Sequence, residues 1–385
     1  MSMSRTPGVP LRSARFAGSR GFQSRSRQGR PASVSPAVRR RTALALAESH
    51  PEVVSMRARA QNASLPAHQR AAASTDVRSL REEVCATILR TAPVVVASCV
   101  GAHQLLGGKA PFPLVVLDEG SQTTEPALVC ALAAAKAQQL VIVGDTRQLP
   151  PTVASGSSEL RHSLGQSPMA RLEDVGVGRR TLTVQYRMPP ELLEHPSNYF
   201  YGSLVTCAAQ SWPSPPKGFA WPGERRLCPL CFIHHGHNLE VDHPAGGKSN
   251  PSEAALAARI ISDVVEAGDV SAANVAMIAP YSNQVDELRR RLTCACRVGT
   301  VDSFQGQETE LVVFSATRSN EFSDMGFLRD PRRLCVAITR AKRGLILVGD
   351  VQTLRSSHHW AALIDSCQAR GCLVDSGEIY EDAPV

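Results

Sequence analysis

No run of about 18 apolar residues, the length that crosses a bilayer as a helix, occurs in this 385-residue chain; the nearest approach, Glu125–Val143, is broken by Glu125 itself, Lys136, Gln138 and Gln139. A membrane-spanning helix is therefore excluded, and no membrane partner is expected. Aromatic residues are scarce at 5%, so a core must be assembled mainly from Ala, Val, Leu and Ile. Residues 1–41 contain no acid and no Lys, yet hold ten Arg (5, 12, 15, 20, 25, 27, 30, 39, 40 and 41). The whole chain is +7, so residues 42–385 sum to −3 (7 − 10) and the basic character belongs mostly to one tail. The 11 Cys follow no regular spacing, unlike a small disulfide scaffold. They read as reduced thiols in an intracellular protein, cytoplasmic or nuclear.

Apolar residues at 43% and charged residues at 20% fit ordinary globular usage. At ~100–200 residues per domain, the length allows two or three domains. Residues 1–41, rich in Ser, Gly, Pro and Arg, cannot bury a core and read as a basic disordered tail. Their composition also suits an organelle transit peptide or a nucleic-acid contact, and all three readings stay open. Residues 42–92 read as a helical stalk broken at Pro51 and Pro66, best at Ser79–Thr91. The expected divisions are a partial first domain at 93–187, a second domain at 188–370 and a C-terminal tail at 371–385.

From residue 93 short Val/Ile/Leu runs alternate with helical patterns: Val94–Ser98, Leu114–Leu117, Leu140–Val143, Thr181–Gln185, Leu230–Ile233, Val275–Ala279, Val298–Val301, Leu311–Ser315 and Leu345–Val348. Continuous apolar runs are what strands buried on both faces require, so the fold class is α/β with parallel sheets. Asn250-Pro251-Ser252-Glu253 and Asp330-Pro331 each pair a capping side chain with a proline in the first turn, opening two of the helices. The second is expected to carry Leu334, Ile338 and Ala341 on one stripe and to extend through Arg340, which could be a plain solvated helix residue.

Several strand ends carry polar groups. Leu114–Leu117 runs into Asp118 and Glu119, where one carboxylate can hold Mg²⁺ and a second can orient water; equally, a strand can simply end in charged loop residues. Leu140–Val143 leads to Gly144-Asp145-Thr146-Arg147-Gln148-Leu149-Pro150-Pro151, and Gln148 there can bond a phosphate or water or be an ordinary loop residue. Gln185-Tyr186-Arg187-Met188 presents an arginine fork that matches phosphate oxygens, although a lone surface arginine is the commoner fate. Val301–Glu308 and Val336–Lys342 add Gly306, Glu308 and Arg340.

Together and in this order, these segments resemble the superfamily 1 helicases (1B) of the nonsense-transcript-regulator and senataxin type. Asp118-Glu-Gly-Ser-Gln122 matches motif II (D-E-A-x-Q), Gly144–Pro151 motif III, Ile278-Ala-Pro280-Tyr281-x-x-Gln284 motif IV, Val301–Glu308 motif V and Val336–Lys342 motif VI. Val95–Ala102 and Gly326–Leu334 also look like the family, so the resemblance spans about Val94 to Asp350. It implies a P-loop NTPase with RecA-like domains that uses ATP and Mg²⁺ and acts on single-stranded RNA or DNA as a monomer. By that resemblance Asp118 would bind Mg²⁺, Glu119 would activate water and Gln148 would sense the γ-phosphate. Tyr186 would stack on adenine, Arg187 and Arg340 would act as arginine fingers, and Gly306 and Glu308 would meet phosphate or ribose. Backbone-directed contacts near Ser98, Pro280, Ser303 and Arg318 would hold the strand.

One family feature is missing. Nothing in residues 1–117 reads G-x-x-x-x-G-K-[ST], the loop whose amides and Lys cradle the β- and γ-phosphates; Gly108-Lys109 runs into Ala110-Pro111. Gly246-Gly247-Lys248-Ser249 lies after motif II and has Asp242 where the first glycine belongs, so it reads as a surface loop. The chain is accordingly expected to be the C-terminal portion of a helicase, with an incomplete first domain that leaves a gap or an open sheet edge near Leu140–Val143. A non-hydrolysing nucleic-acid or partner-binding module is the rival reading. Cys228-x-x-Cys231 with His234, His235 and His237 could bind zinc, but its place on an apolar strand and the lack of a second ligand pair favour ordinary thiols.

Overall fold

The computed structural model describes residues 13–15, 43–106, 111–155, 157–208, 211–223, 228–236, 239–244 and 246–380. The backbone divides into two compact units, one of residues 1–144 and 151–171, the other of residues 145–150 and 172–385. Of the basic segment 1–41 only Ser13–Arg15 (β1) is described, as a strand; the expectation for the rest lies outside the described residues.

In the first unit, helices α1 (Ala43–Glu48), α2 (Pro51–Gln61) and α3 (Ala67–Thr91) pack together around Ala43, Ala47, Val53 and Leu89. Pro51 stands at the first turn of α2, where its missing N–H costs nothing. Strand β2 (Val94–Val96) pairs in parallel with β1, and helix α4 (Cys99–Leu106) follows. Strand β3 (Leu114–Leu117), helix α5 (Glu125–Ala135) and β4 (Gln139–Ile142) form a right-sized βαβ unit whose strands pair in parallel. Among the described residues β4 has no strand on its other side. Alternate apolar side chains of this small sheet stay exposed, Val116 at 59% and Leu114 and Val141 at 47%. Helices α6 (Ser158–Gly165) and α7 (Pro168–Asp174) close the run.

The second unit holds β5 (Val184–Gln185) paired with β6 (Thr206–Cys207), helix α8 (Pro190–Tyr201) between them, and a six-stranded parallel sheet. Its strands are β7 (Leu230–His234), β10 (Val275–Ala279), β11 (Arg297–Thr300), β12 (Thr309–Ser315), β13 (Ala341–Gly349) and β14 (Leu373–Asp375), in the order β11-β10-β12-β13-β7-β14. The short hairpin β8 (Val241–Asp242) and β9 (Lys248–Ser249) is antiparallel. The expected strands at 230–233, 275–279, 311–315 and 345–348 all fall within this sheet. Side chains alternate between its faces. Phe232, Ile278, Val312, Phe314 and Leu347 pack on one face beneath α8, α11 (Pro331–Ile338) and α13 (His358–Ala369). Ile233, Met277, Val313, Ile346 and Val348 pack on the other beneath α9 (Pro251–Glu266) and α10 (Ser282–Arg291). Both faces are covered, which is why these strands read as continuous Val/Ile/Leu runs. Helices α12 (Val351–Leu354) and α14 (Ser376–Ile379) complete the unit. No helix among the described residues is long and apolar enough to cross a membrane.

The predicted helix starts hold: Asn250 accepts from the Glu253 amide and Asp330 from the Arg332 amide. The end of the second helix is different from expectation. It stops at Ile338; Thr339 and Arg340 form a turn and Ala341 begins β13. The helical register reads on through residue 341, but pairing of Thr309 with Ala341 draws the chain into the sheet.

Candidate functional site

In the first unit, β3 delivers Asp118 and Glu119 to its C-terminal end, where parallel sheets commonly carry ligand sites. Asp118 is exposed, and its Oδ1 accepts from the Glu119 amide at 3.0 Å. Glu119 has φ 53° and ψ 42°, left-handed backbone that costs a non-glycine residue energy and is concentrated at functional positions. Its carboxylate is held by Gln122 Nε2 at 2.9 Å. The turn is pressed on β4: the Gly120 amide donates to Val143 O at 2.8 Å, and a side chain at Gly120 would collide with Ile142.

The second unit holds a continuous polar chain. Tyr201 donates to Asp145 Oδ2 at 2.7 Å, and Gln148 Nε2 donates to the same oxygen at 2.9 Å. This fixes the Gln148 amide, whose Oε1 accepts from Arg340 at 3.2 Å. Burial pushes the Tyr201 phenol up, so it stays a donor. Arg340, only 2% exposed, also donates to Val336 O, Gln307 O and Thr339 Oγ1. Arg187 donates to Thr339 O at 2.9 Å and to Glu308 at 2.8 Å. Lys342 and Arg187 bond the Glu308 carboxylate and hold it below its ordinary range. Beside Arg187, the Tyr186 ring is 79% exposed, an open face for stacking. Gly306 has φ 69°, which brings the Glu308 segment round in a turn that favours glycine.

Four of the expected site residues, Gln148, Arg187, Glu308 and Arg340, are thus joined by side chains and the Thr339 link. Asp118 and Glu119 adjoin one another within the first unit. The expected strand-binding residues fare differently. Ser98 is exposed and accepts from the Gly101 amide at the start of α4; Ser303 is exposed and donates to Thr300 O. Pro280 is buried at the end of β10. Arg318 is 1% exposed, gripped by both oxygens of Glu240 at 2.8 and 3.0 Å and by Asp324 and Tyr281. Its guanidinium braces the surface from beneath. Sequence reading missed Asp145 as the partner of Gln148 and Tyr201 as the partner of Asp145. Asp145 stood in the quoted segment, but a tyrosine 56 residues on carries no local sign of the contact.

Lys248, in the Gly-Lys-Ser stretch, is tied to Glu240 at 2.9 Å and to Asp242 on the β8–β9 hairpin. Cys231 lies in the core on one face of the sheet, whereas Cys228 packs against the other. His234 Nδ1 accepts from the Val351 amide and His235 sits between Ser252 and Ser376; His237 lies outside the described residues. Among the described residues no three His, Cys, Asp or Glu side chains are grouped to hold a metal ion.

Two family models, each described as an AAA domain, match the chain over residues 23–156 and 164–352. The regulator of nonsense transcripts 1 of Dictyostelium discoideum is 34% identical over 307 residues, 77% of this chain and 23% of that protein. The ATP-dependent helicase NAM7 of Saccharomyces cerevisiae is 36% identical over 306 residues, 75% of this chain and 30% of that protein. The chain therefore spans less than a third of the length of these two relatives. Among solved structures, that of the PRRSV helicase is similar with a TM-score of 0.36 and 16% identity, covering 68% of this chain and 39% of that one.

Proposed function

Because the chain belongs to the superfamily 1 helicases of the nonsense-transcript-regulator type, we propose that it serves as an ATP-dependent helicase or translocase on single-stranded RNA or DNA. The observation that carries this reading is the polar chain Tyr201–Asp145–Gln148–Arg340, joined through Thr339 to Arg187. Two guanidinium groups and an amide of fixed orientation are what stabilise charge on a transferring phosphoryl group.

In this reading Glu119, preset in a left-handed conformation, takes a proton from the attacking water. Gln148 orients that water or a phosphate oxygen, and Arg187 and Arg340 meet the developing negative charge. Tyr186 offers its ring to adenine, and Gly306 and Glu308 line the approach to phosphate or ribose. Asp118 suits Mg²⁺: it is an exposed hard oxygen donor at a strand end, and this ion commonly takes one or two carboxylates together with phosphates. The ion would neutralise phosphate charge. Ser98 and Ser303 offer exposed hydroxyls to a nucleic-acid backbone, while Pro280 and Arg318 act by shaping the surface around them. The divisions 93–187 and 188–370 would be the two motor lobes, with 42–92 as a stalk and 1–41 and 371–385 as tails.

A second reading, a nucleic-acid-binding module without hydrolysis, has one observation in its favour. Within the 385 residues Gly-Lys-Ser occurs once, at 247–249, where Lys248 is neutralised by Glu240 and Asp242. The test is phosphate release by the full chain with and without single-stranded RNA and DNA. Stimulated release that vanishes in Glu119→Gln, with binding of the strand retained, supports the motor. Strand binding with no release and no response to ATP overturns it in favour of the module.

A further inference from the structure

Two thiols of the second unit lie in contact although 144 residues separate them: Cys228 Sγ and Cys372 Sγ are 2.8 Å apart. Cys228 precedes β7 and is partly exposed; Cys372 precedes β14 and is 0% exposed. The backbones there are already joined, since the Phe232 amide donates to Cys372 O at 2.8 Å and Leu373 pairs with Phe232. A bond between the sulfurs thus requires little motion of the main chain, the usual obstacle to forming a disulfide.

We propose that Cys228 and Cys372 form a reversible disulfide on exposure to a hydroperoxide, pinning the C-terminal strand β14 to the entry of β7. The two sulfurs have unequal roles. The hydrogen bond from Cys372 brings the Cys228 thiol below its ordinary range, with Arg370 nearby adding to the effect. A lowered pKa favours the thiolate of Cys228, the form that attacks peroxides. The partner bond and burial push Cys372 up, so it keeps its proton. Burial raises the thiols of Cys335 and Cys367 to about 12, and that of Cys231 rises for the same reason. This sets the pair apart from the unreactive core cysteines.

The chemistry balances in two steps. The Cys228 thiolate attacks one peroxide oxygen; the O–O bond breaks, hydroxide or alkoxide leaves and takes a proton from solvent to become water or alcohol, and Cys228 becomes a sulfenic acid. The Cys372 sulfur then attacks that sulfur, the S–O bond breaks, and the Cys372 proton departs with the hydroxide as water. Two electrons pass from the two thiols to the peroxide. The ring closed by the new bond contains every strand from β7 to β13, so the crosslink would secure the second unit whether or not it turns over ATP.

The test uses the full chain, reduced, freed of reductant and exposed to hydrogen peroxide, followed by peptide mapping without reduction. A Cys228–Cys372 linked peptide that a dithiol removes is the expected result. Cys228 found linked to Cys231 or Cys367 instead, or carried to sulfinic acid without a link, overturns the proposal. Alkylation by iodoacetamide gives a second measurement that needs no oxidation. Cys228 is expected to react at least ~10-fold more slowly at pH 7 in Cys372→Ala, which removes the donor, than in the parent if Cys372 lowers its pKa by a unit or more; an unchanged or faster rate overturns the assignment.

Discussion

Asp145 gives Gln148 its orientation, and Tyr201 holds Asp145 in turn. The first relation is local, the acid lying three residues from the amide, but the second is not legible locally, because the phenol comes from the far end of α8. Removing the phenol hydroxyl should loosen the amide without opening the core. Tyr201→Phe is expected to lower any strand-stimulated phosphate release about 5-fold, the equivalent of one ~1 kcal/mol hydrogen bond. Phosphate-release assays at saturating ATP, with the melting temperature as a control for folding, check this. Burial of ionisable groups gives a second prediction. Glu253 is wholly buried; loss of water pushes its carboxyl from 4.5 up to about 8, despite bonds from Ser315 and the Thr317 amide. Its raised pKa contributes stability that is complete below 4.5 and is lost as pH rises through 8. Burial and Arg370 take His195 from 6.5 down to about 4, so its contribution is present above 6.5 and is lost as pH falls through 4. Melting temperature should therefore peak between the two limbs. Glu253→Gln should flatten the alkaline limb by about 1–3 kcal/mol at pH 9, discounted from the full linkage value. An alkaline limb identical in both proteins would refute it.

The elements themselves were legible where their pattern was local. Strands buried on two faces must be apolar throughout, so β7, β10, β12 and β13 announce themselves. Capping residues announce α9 and α11 because the cap is a contact between near neighbours. The last turn of α11 was not legible, since β-pairing of Ala341 overrides a helical register that sequence alone continues. The burial of Arg318 was likewise hidden, because Glu240 lies 78 residues before it. Helix α11 also supplies Val336 O to Arg340, so its cap bears on the candidate site. Asp330→Ala is expected to cost ~1 kcal/mol and to speed amide exchange in α11. Loss of stability without faster exchange there would show that the Arg332 ion pair, not the cap, is what Asp330 provides.

Across the whole molecule the two units differ in how fully their strands are covered. In the second, every residue of β10 is buried, and apolar clusters lie on both faces of the sheet. In the first, β3 and β4 pair with each other and leave Leu114, Val116 and Val141 about half exposed. Burial of apolar area is worth ~25 cal/mol per Å², and an exposed pair of strands forgoes much of it. A two-stranded sheet is also marginal unless other elements cover it. Local opening follows from few buried apolar contacts and exposed backbone bonds. Hydrogen exchange on the intact chain should therefore show amides of β10, β12 and β13 protected at least ~100-fold more than those of β3 and β4, corresponding to a difference of ~3 kcal/mol in opening free energy. The contrast should persist in Glu253→Gln at pH 6, where the neutral form of Glu253 already prevails. Equal protection of the two sets of strands would mean that the exposed face of β3 and β4 is covered in solution, and the argued difference between the units would fail.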